Sequence, residues 1–342
     1  MSSLSLLWKE SVGAERELRK AHHASTLLPL QSGELALAWF QGSAEGARDV
    51  GIFTSRRAPA GGWSTPERID CEPDVAHWNP VLASRTDGTI VLFYKAGNRI
   101  ADWQTMTSSS ADGGKTWSTP VELVPGDRGG RGPVRTKPLV FANGTWIAGA
   151  SIEQGRRWIA FADISRDEGR TWMKSPAPGL ELPCEAGVGE INSSIPVSAQ
   201  SFSGRGVIQP SLWAASADDV HMLLRSTEGW LFRSDSANGG LTWSSPARTS
   251  VPNNNSGIDV LRFDDGTLAL AHNPVGVNWG ARSPLVVSLS EDGGFRWRRA
   301  FTLAEGPGEF SYPALVGCDR GLFASWTEDR RGIAVARLEI RA

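Results

Sequence analysis

Short apolar runs alternate with tight polar turns along almost the whole chain. Six turns of two small or polar residues each lie between apolar runs: Ser32-Gly33, Asp87-Gly88, Asn143-Gly144, Asp218-Asp219, Asp265-Gly266 and Arg320-Gly321. Asp-Gly and Asn-Gly in this setting are the strongest short-range hairpin signal, because both residues tolerate a positive φ. We therefore predict six structural units of about four short strands each. Helical periodicity is confined to residues 14–20.

A second repeat, Ser-x-Asp-x-Gly-x-Thr-Trp, recurs between these turns. Four fuller copies occupy residues 110–117, 165–172, 236–243 and 290–297, and a truncated copy ends at Trp63. The successive Trp-to-Trp steps are 54, 55, 71 and 54 residues. The longer third step predicts a long loop at residues 176–203.

The two chain ends are expected to meet in one unit. The sixth unit begins near Leu315, and too few residues follow Gly321 for four strands. The N-terminal segment 4–12 is expected to pair there and to close the ring, which removes exposed sheet edges. The sequence thus predicts an all-β, six-bladed β-propeller that forms a single domain over residues 1–342.

Charge and cysteine content exclude several classes of protein. The 35 Lys and Arg residues against 37 Asp and Glu residues give a net charge of −2, which argues against a nucleic-acid binder or a polybasic membrane clamp. No apolar run reaches about 18 residues, so no membrane span is expected. Cys71, Cys184 and Cys318 are odd in number and widely spaced, which argues against a disulfide framework, and they lack the close pairing of a zinc site. The first residues do not form a secretory signal, so a cytoplasmic location is expected.

The Ser-x-Asp-x-Gly-x-Thr-Trp unit resembles the Asp-box, or BNR repeat, of the sialidase (neuraminidase) superfamily. The resemblance covers nearly the whole chain and implies a sialidase-like, six-bladed propeller. In that family the boxes lie away from the active face. Asp112, Asp167 and Asp292 are therefore expected to form turns and to take no part in chemistry.

The resemblance also implies a candidate site. Sialidases hold a carboxylated sugar with three arginines and use a Tyr nucleophile assisted by Glu, with an Asp as acid/base. Arg225 and Arg282 match the second and third arginines, and Tyr312 matches the tyrosine. The sequence departs from the pattern at two places, with His23 where the first arginine belongs and Gln209 where the Glu belongs.

Further candidates complete the predicted site. Glu45, in the loop after the first hairpin, is favoured over Asp49 as acid/base. The remaining substrate-binding candidates are Lys95, Arg135, Asn255 and Arg331. No cofactor is required and no metal ligand cluster is legible, although propellers often hold a structural metal at the pore.

The two departures shift the predicted chemistry. Glutamine cannot take a proton from tyrosine, and histidine is not a permanent fork for a carboxylate. The chain also resembles a sub-branch with Gln-Pro-Ser-Leu-Trp at 209–213, some of whose members release rhamnose from a rhamnosyl-glucuronate end by β-elimination. In such a reaction the arginines would neutralise the uronate, and His23, His77 or Tyr312 would move protons.

Three hypotheses follow for a protein whose partner is the end of an acidic oligosaccharide or glycoconjugate. A lyase acting by β-elimination is slightly favoured. The alternatives are a glycosidase of the exo-sialidase type and a glycan-binding propeller without catalysis. Neither nucleic acid nor a membrane is expected as a partner.

Overall fold

The computed structural model describes residues 3–13, 21–69, 72, 74–154, 156–175, 180–182 and 204–341. The helical periodicity at 14–20, nearly all of the predicted loop at 176–203, and Cys71 and Cys184 lie outside these residues. None of the helices that the structure describes has the length and apolar content needed to cross a membrane.

The described residues form strands and one turn of 3₁₀ helix, Ile100–Asp102. The strands in chain order are β1 (Ser3–Val12), β2 (His23–Pro29), β3 (Leu35–Gln41), β4 (Gly51–Arg57), β5 (Glu67–Arg68), β6 (His77–Ser84), β7 (Ile90–Ala96), β8 (Gln104–Ser110), β9 (Val121–Glu122), β10 (Leu139–Val140), β11 (Trp146–Gln154), β12 (Arg157–Ser165), β13 (Met173–Lys174), β14 (Arg205–Ala214), β15 (Val220–Ser226), β16 (Trp230–Ser236), β17 (Ala247–Pro252), β18 (Asp259–Arg262), β19 (Leu268–His272), β20 (Leu285–Ser290), β21 (Arg298–Ala304), β22 (Phe310–Cys318), β23 (Gly321–Glu328) and β24 (Gly332–Arg341). The all-β class expected from the short apolar runs is confirmed.

The described strands form several sheets, each built mainly from strands that are consecutive in the chain. Four of the sheets in the described residues have four strands, in the orders β2-β3-β4-β5, β6-β7-β8-β9, β18-β19-β20-β21 and β1-β24-β23-β22. The strands β10–β17 form one eight-stranded sheet, because β12 and β14 pair in parallel through Arg157↔Arg205 and Trp158↔Gly206. The prediction of six separate four-stranded blades is corrected accordingly: four sheets stand alone, and the other strands are joined.

The N-terminal strand lies beside the C-terminal one. β1 pairs antiparallel with β24 from Ser3↔Arg341 to Val12↔Ile333. This strand supplies the outer edge of a sheet whose other three strands come from the last 33 residues, 310–342.

Each tight turn predicted from the sequence joins two strands that are consecutive in the chain and pair antiparallel. At Gly33 and Gly88 the φ angles are +82° and +84°, a left-handed conformation that glycine adopts without steric cost. In both hairpins the glycine N–H donates to the carbonyl three residues earlier, Leu30 and Arg85. The local sequence therefore sets the register of these hairpins.

The Asp-boxes follow the third strands and form closed turns. In the box at 165–172, Asp167 Oδ1 accepts from the backbone N–H of Arg170 and Thr171 at 3.1 and 2.8 Å, and Oδ2 accepts from Thr171 Oγ1 at 2.6 Å. Asp112 makes the same contacts in its box. The expected turn-forming role of these aspartates is confirmed.

Large aromatic side chains fill the space between neighbouring sheets. Trp39, Trp146 and Trp326 are completely buried, and Phe93 of β7 contacts both Trp146 and the box residue Trp172 edge-on. Burial of a large apolar side chain stabilises the fold by about 1.5–3 kcal/mol. The box tryptophan therefore links its turn to the inter-sheet core.

Candidate active site

The first strands of four hairpins, β2, β6, β14 and β22, carry a bulge at the same place, near the strand start. The pairing with the second strand shifts there, and the bulge residue has a positive φ of 45–55° at Ala24, Asn79, Gln209 and Tyr312. Since first and third strands run parallel, these bulges lie at the opposite end of the sheets from the Asp-boxes. Bulges re-aim side chains, and non-glycine residues in this strained conformation cluster at functional sites.

A short sequence signal accompanies three of the bulges. Asn79, Gln209 and Tyr312 each precede a proline. Proline has no N–H to donate, so it fits where a bulge interrupts the hydrogen-bond ladder. A polar residue followed by Pro at the start of a predicted strand therefore marks the site end of a sheet.

Tyr312 lies at the centre of a cluster of arginines. Its hydroxyl accepts a hydrogen bond from Arg225 Nη1 at 2.7 Å. The guanidinium carbons of Arg135, Arg225 and Arg282 lie 5.2, 5.6 and 5.4 Å from the centre of its ring. The geometry brings three of the predicted arginines to the predicted tyrosine.

Neutral amides hold Arg225 in place. Its Nη1 also donates to Gln209 Oε1 at 2.9 Å, and its Nε donates to Asn255 Oδ1 at 3.0 Å. Asn255 is fixed in turn by a hydrogen bond from its Nδ2 to Asn278 Oδ1 at 3.0 Å. Because these partners are uncharged, they orient the guanidinium without neutralising it.

Arg135 lies beneath the tyrosine and supports its backbone. It is buried and donates from Nη2 to the carbonyls of Tyr312 and Pro313 at 2.6 and 2.9 Å. Burial lowers the pKa of Arg135 to about 10, so it stays charged at neutral pH. Its cation adds to the field at the site and fixes the bulge that presents the tyrosine.

Two arginines share one partly buried carboxylate. Arg282 Nη1 donates to Glu309 Oε1 at 2.5 Å, and Arg330 Nε donates to Glu309 Oε2 at 3.0 Å. Burial alone would raise the pKa of Glu309, but the two arginines lower it to about 2. Arg330 also pairs with Glu45, while Arg282 Nη2 is buried without a hydrogen-bond partner among the described residues.

His23 is held neutral between Tyr312 and Arg330. Its ring centre lies 4.1 Å from that of Tyr312, its Nδ1 lies 2.8 Å from Thr327 Oγ1, and its Nε2 lies 3.5 Å from Arg330 Nη2. A guanidinium only donates, so the hydrogen-bond network assigns the ring proton to Nδ1. Burial and the surrounding arginines lower the pKa of His23 well below its ordinary value.

The cluster opens into a cleft at the site end of the sheets. Tyr312, Arg225 and Gln209 form one part of its lining, and the carboxylates of Glu45 and Glu153 another. The remaining wall is mostly aromatic: Trp78, Trp103, Trp158 and Trp279, with Asn79 and Ile100. Aromatic faces beside charged groups suit a sugar that carries a carboxylate.

Three predicted site residues lie elsewhere. His77 is buried, with Nδ1 3.0 Å from the Val50 carbonyl oxygen, and does not line the cleft. Lys95 is buried and donates to Thr105 Oγ1 and the Arg131 carbonyl, and burial lowers its pKa to about 7. Arg331 is exposed. The direction in which each of these side chains points depends on how the strands pair, and the sequence motifs alone do not show that pairing.

Sequence reasoning missed several residues of the site. Arg330 and Glu309 complete the charged cluster, and Glu153, Trp158 and Trp279 line the cleft. Arg282 and Arg330 pair with Glu309, and Arg330 also pairs with Glu45. Within the described part of the chain, Arg135 and Arg225 donate only to neutral oxygen atoms, so their positive charges are not balanced by an ion pair there. No group of three or more His, Cys, Asp or Glu suited to a metal ion occurs in the ranges that the structure describes.

The family model described as a BNR repeat-like domain matches residues 33–324, whereas comparison with curated proteins gives no match. The fold is similar to that of a protein of unknown function from Dyadobacter fermentans, with a TM-score of 0.76 and 16% identity over 99% of this chain and 100% of that one.

Two solved sialidases are also similar. The Hadza microbial sialidase Hz136 has a TM-score of 0.73 and 17% identity, with 93% of this chain and 65% of that one covered. The Trypanosoma rangeli sialidase in complex with the inhibitor DANA has a TM-score of 0.71 and 12% identity, with 96% and 59% covered. The chain thus spans less than two thirds of either sialidase. At these identities the likeness confirms the propeller fold.

Proposed function

Because the chain belongs to the family of BNR repeat-like domains, within the sialidase-like superfamily, we propose that it cleaves the glycosidic bond of a terminal carboxylated sugar. The proposal rests on one observation: Arg135, Arg225 and Arg282 converge on Tyr312 at the floor of a cleft lined by tryptophans. The positive charges of Arg135 and Arg225 favour an anionic ligand, and the aromatic walls favour a sugar ring.

Arg225 and Arg282 are the groups that would hold the sugar carboxylate. Arg225 lines the cleft and makes its side-chain hydrogen bonds to neutral oxygen atoms, and Arg282 has one buried N–H₂ without a partner among the described residues. A carboxylate that receives such donors forms charge-assisted hydrogen bonds, about twice as strong as neutral ones. Binding of the acid group would satisfy the buried donor and balance the charge of Arg225.

The reaction that we favour is β-elimination, with Tyr312 as the base. After its hydroxyl proton has passed to solvent, the Tyr312 oxygen would take the proton at C5 of the uronate, the C4=C5 double bond would form, and the C4–O bond would break with its electron pair on the leaving oxygen. Arg225 stabilises the negative charge on the tyrosine oxygen, and the arginines stabilise the developing enolate. His23 is a weaker choice for the base than we expected, because burial and four arginines disfavour its protonated form.

Hydrolysis is a second candidate, favoured by one observation. Two of the similar structures carry the name sialidase, and one holds the inhibitor DANA. In this reaction Tyr312 would attack the anomeric carbon and water would later release the sugar. Gln209 argues against hydrolysis, because its amide cannot act as the base that a tyrosine nucleophile needs.

We also propose that the sheets form a six-bladed ring closed by β1. The eight-stranded sheet consists of two sets of four strands, β10–β13 and β14–β17, joined by two parallel residue pairs only. Each set begins with a predicted hairpin, as the separate sheets do. The pairing of β1 with β24 supports closure at the chain ends.

Two substrates in parallel test the function. Elimination from a rhamnosyl-glucuronate-capped polysaccharide would produce a double bond conjugated to the carboxylate, with ultraviolet absorbance and free rhamnose. A sialyl conjugate would release free sialic acid without new absorbance. Tyr312→Phe should abolish either activity. Binding of both glycans without product would leave only a glycan-binding propeller and would overturn the proposal.

A further inference from the structure

Glu153 stands at the junction of two neighbouring cavities. The cleft that contains Tyr312 and a small neighbouring pocket share three lining residues: Ile100, Trp103 and Glu153. The neighbouring pocket extends past Ser151 to Arg128. Glu153 therefore lines the same cleft as Tyr312 and Arg225, the residues that would hold the acidic sugar.

The fold brings this carboxylate to the site for a topological reason. Glu153 is near the end of β11, the strand that follows the hairpin at Asn143-Gly144, and it pairs with Trp158 of β12. The second strand of each hairpin runs antiparallel to the first, so its end lies beside the bulged start of the first strands. Trp158, its cross-strand partner, lines the same cleft.

Glu153 differs from the two other carboxylates near Tyr312. Glu45 and Glu309 each form ion pairs with arginines, and the arginines lower the pKa of Glu309. Glu153 makes no side-chain hydrogen bond to any residue that the structure describes. Burial, together with Glu45, outweighs the nearby Arg225 and raises the pKa of Glu153 to about 7.

From this geometry we propose that Glu153 is the general acid that protonates the leaving oxygen. The proposal rests on the proposed function, and it applies to both candidate reactions. As the C–O bond breaks, its electron pair passes to the oxygen, which takes the proton from the Glu153 carboxyl group. Glu153 is left as a carboxylate and regains a proton from water.

The test compares two leaving groups in the wild type and in Glu153→Gln. A sugar leaving group needs a proton, whereas nitrophenol leaves readily as an anion. We expect kcat/KM for the sugar substrate to fall about 10²–10⁴-fold in Glu153→Gln. The same variant should lose less than about tenfold on the analogue with nitrophenol in place of the departing sugar. The matched control is Glu34→Gln, which removes a partly exposed carboxylate paired with Arg56 at the Asp-box end, and its activity should equal that of the wild type.

The pH profile of the wild type supplies a second measurement that needs no variant. An acid catalyst must carry its proton, so cleavage of the sugar substrate should decline above a pH of about 7, the pKa of Glu153. Cleavage of the nitrophenyl analogue should show no such decline, and neither should the residual activity of Glu153→Gln.

The outcomes separate the two proposals. If the wild type cleaves neither substrate, the proposed function and the role of Glu153 both fall. If the wild type cleaves both, but Glu153→Gln keeps full activity on the sugar substrate or loses activity equally on both leaving groups, the function stands and the role of Glu153 is overturned. A wild-type profile with the same pH dependence for both leaving groups would overturn it as well.

Discussion

Arg225 donates a hydrogen bond from Nη1 to the hydroxyl oxygen of Tyr312 over 2.7 Å, and the same nitrogen donates to Gln209 at 2.9 Å. The contact joins a residue of β15 to the bulge of β22, which lie in different sheets. It places a fixed positive charge against the one atom of Tyr312 that would react. The strength of the site therefore depends on the shape of the guanidinium as well as on its charge.

Arg225→Lys keeps the charge but removes the fork. Lysine cannot donate at once to Asn255, Gln209 and Tyr312 in the observed directions, because its donors lie on one nitrogen. We expect kcat/KM to fall about 10²–10³-fold, the usual cost of losing a preorganised donor. Steady-state kinetics on the cleaved substrate would check this, with Arg56→Lys at the Asp-box end as a control. A fall of less than threefold would show that charge alone suffices.

Gln209→Glu distinguishes the two candidate reactions. A carboxylate at this position would pair with Arg225 and repel the carboxylate of the sugar. Under elimination, KM should rise about tenfold, which corresponds to about 1.4 kcal/mol of binding, and kcat should not increase. Under hydrolysis by a tyrosine nucleophile, the new carboxylate would act as its base and kcat should rise. Separate measurement of kcat and KM on both substrates decides between them.

The sequence is enough to predict the parts of the site that motifs carry. Tyr312, Arg225, Arg282 and His23 were assigned from local segments, and the structure brings these four together. Glu153 escaped because it follows no motif: its place in the cleft results from the pairing of β11 with β12 and from the packing of neighbouring sheets.

Two adjacent arginines, Arg330 and Arg331, show the limit of predicting site residues from the sequence. The sequence favours Arg331 as the ligand-binding residue, whereas in the structure Arg330 reaches Glu309 and His23. Arg330 has a φ of +53° in the turn between β23 and β24, which directs its side chain inward while Arg331 faces solvent. In an extended strand, neighbouring side chains point to opposite faces. The conformation of the turn therefore decides which of the two arginines points into the site.

Asp167→Ala should lower stability without changing catalysis. The carboxylate accepts two backbone N–H groups and the Thr171 hydroxyl, and its box lies at the far end of the sheet from the bulges. We expect a loss of about 1 kcal/mol, comparable to the loss of a helix cap that satisfies similar donors. Thermal unfolding would show a lower Tm, while kcat/KM on folded protein should match the wild type. A large drop in kcat at unchanged Tm would give the box a role in the site.

Glu309→Gln should remove a stabilising interaction whose pH dependence can be worked out. The pKa of Glu309 in the folded chain is about 2, against an ordinary value of 4.5 for a glutamate side chain. A carboxyl group with a lowered pKa stabilises the fold above its unfolded pKa, and this contribution is lost as the pH falls through the folded value. Wild-type stability should therefore decline between pH 4.5 and about 2, in part through this residue.

In Glu309→Gln the neutral amide leaves Arg282 without its partner and Arg330 with Glu45 alone. Loss of one member of a buried ion pair costs about 3–5 kcal/mol, so the variant should unfold at a lower denaturant concentration at neutral pH. The amide of the variant is uncharged at every pH, whereas Glu309 of the wild type becomes protonated in acid. The difference in free energy of unfolding between the two proteins should therefore shrink as the pH is lowered towards 2. Denaturant unfolding at several pH values measures that difference directly. A difference that stays constant from neutral pH to acid would mean that the two arginines do not hold Glu309 in its ionised form.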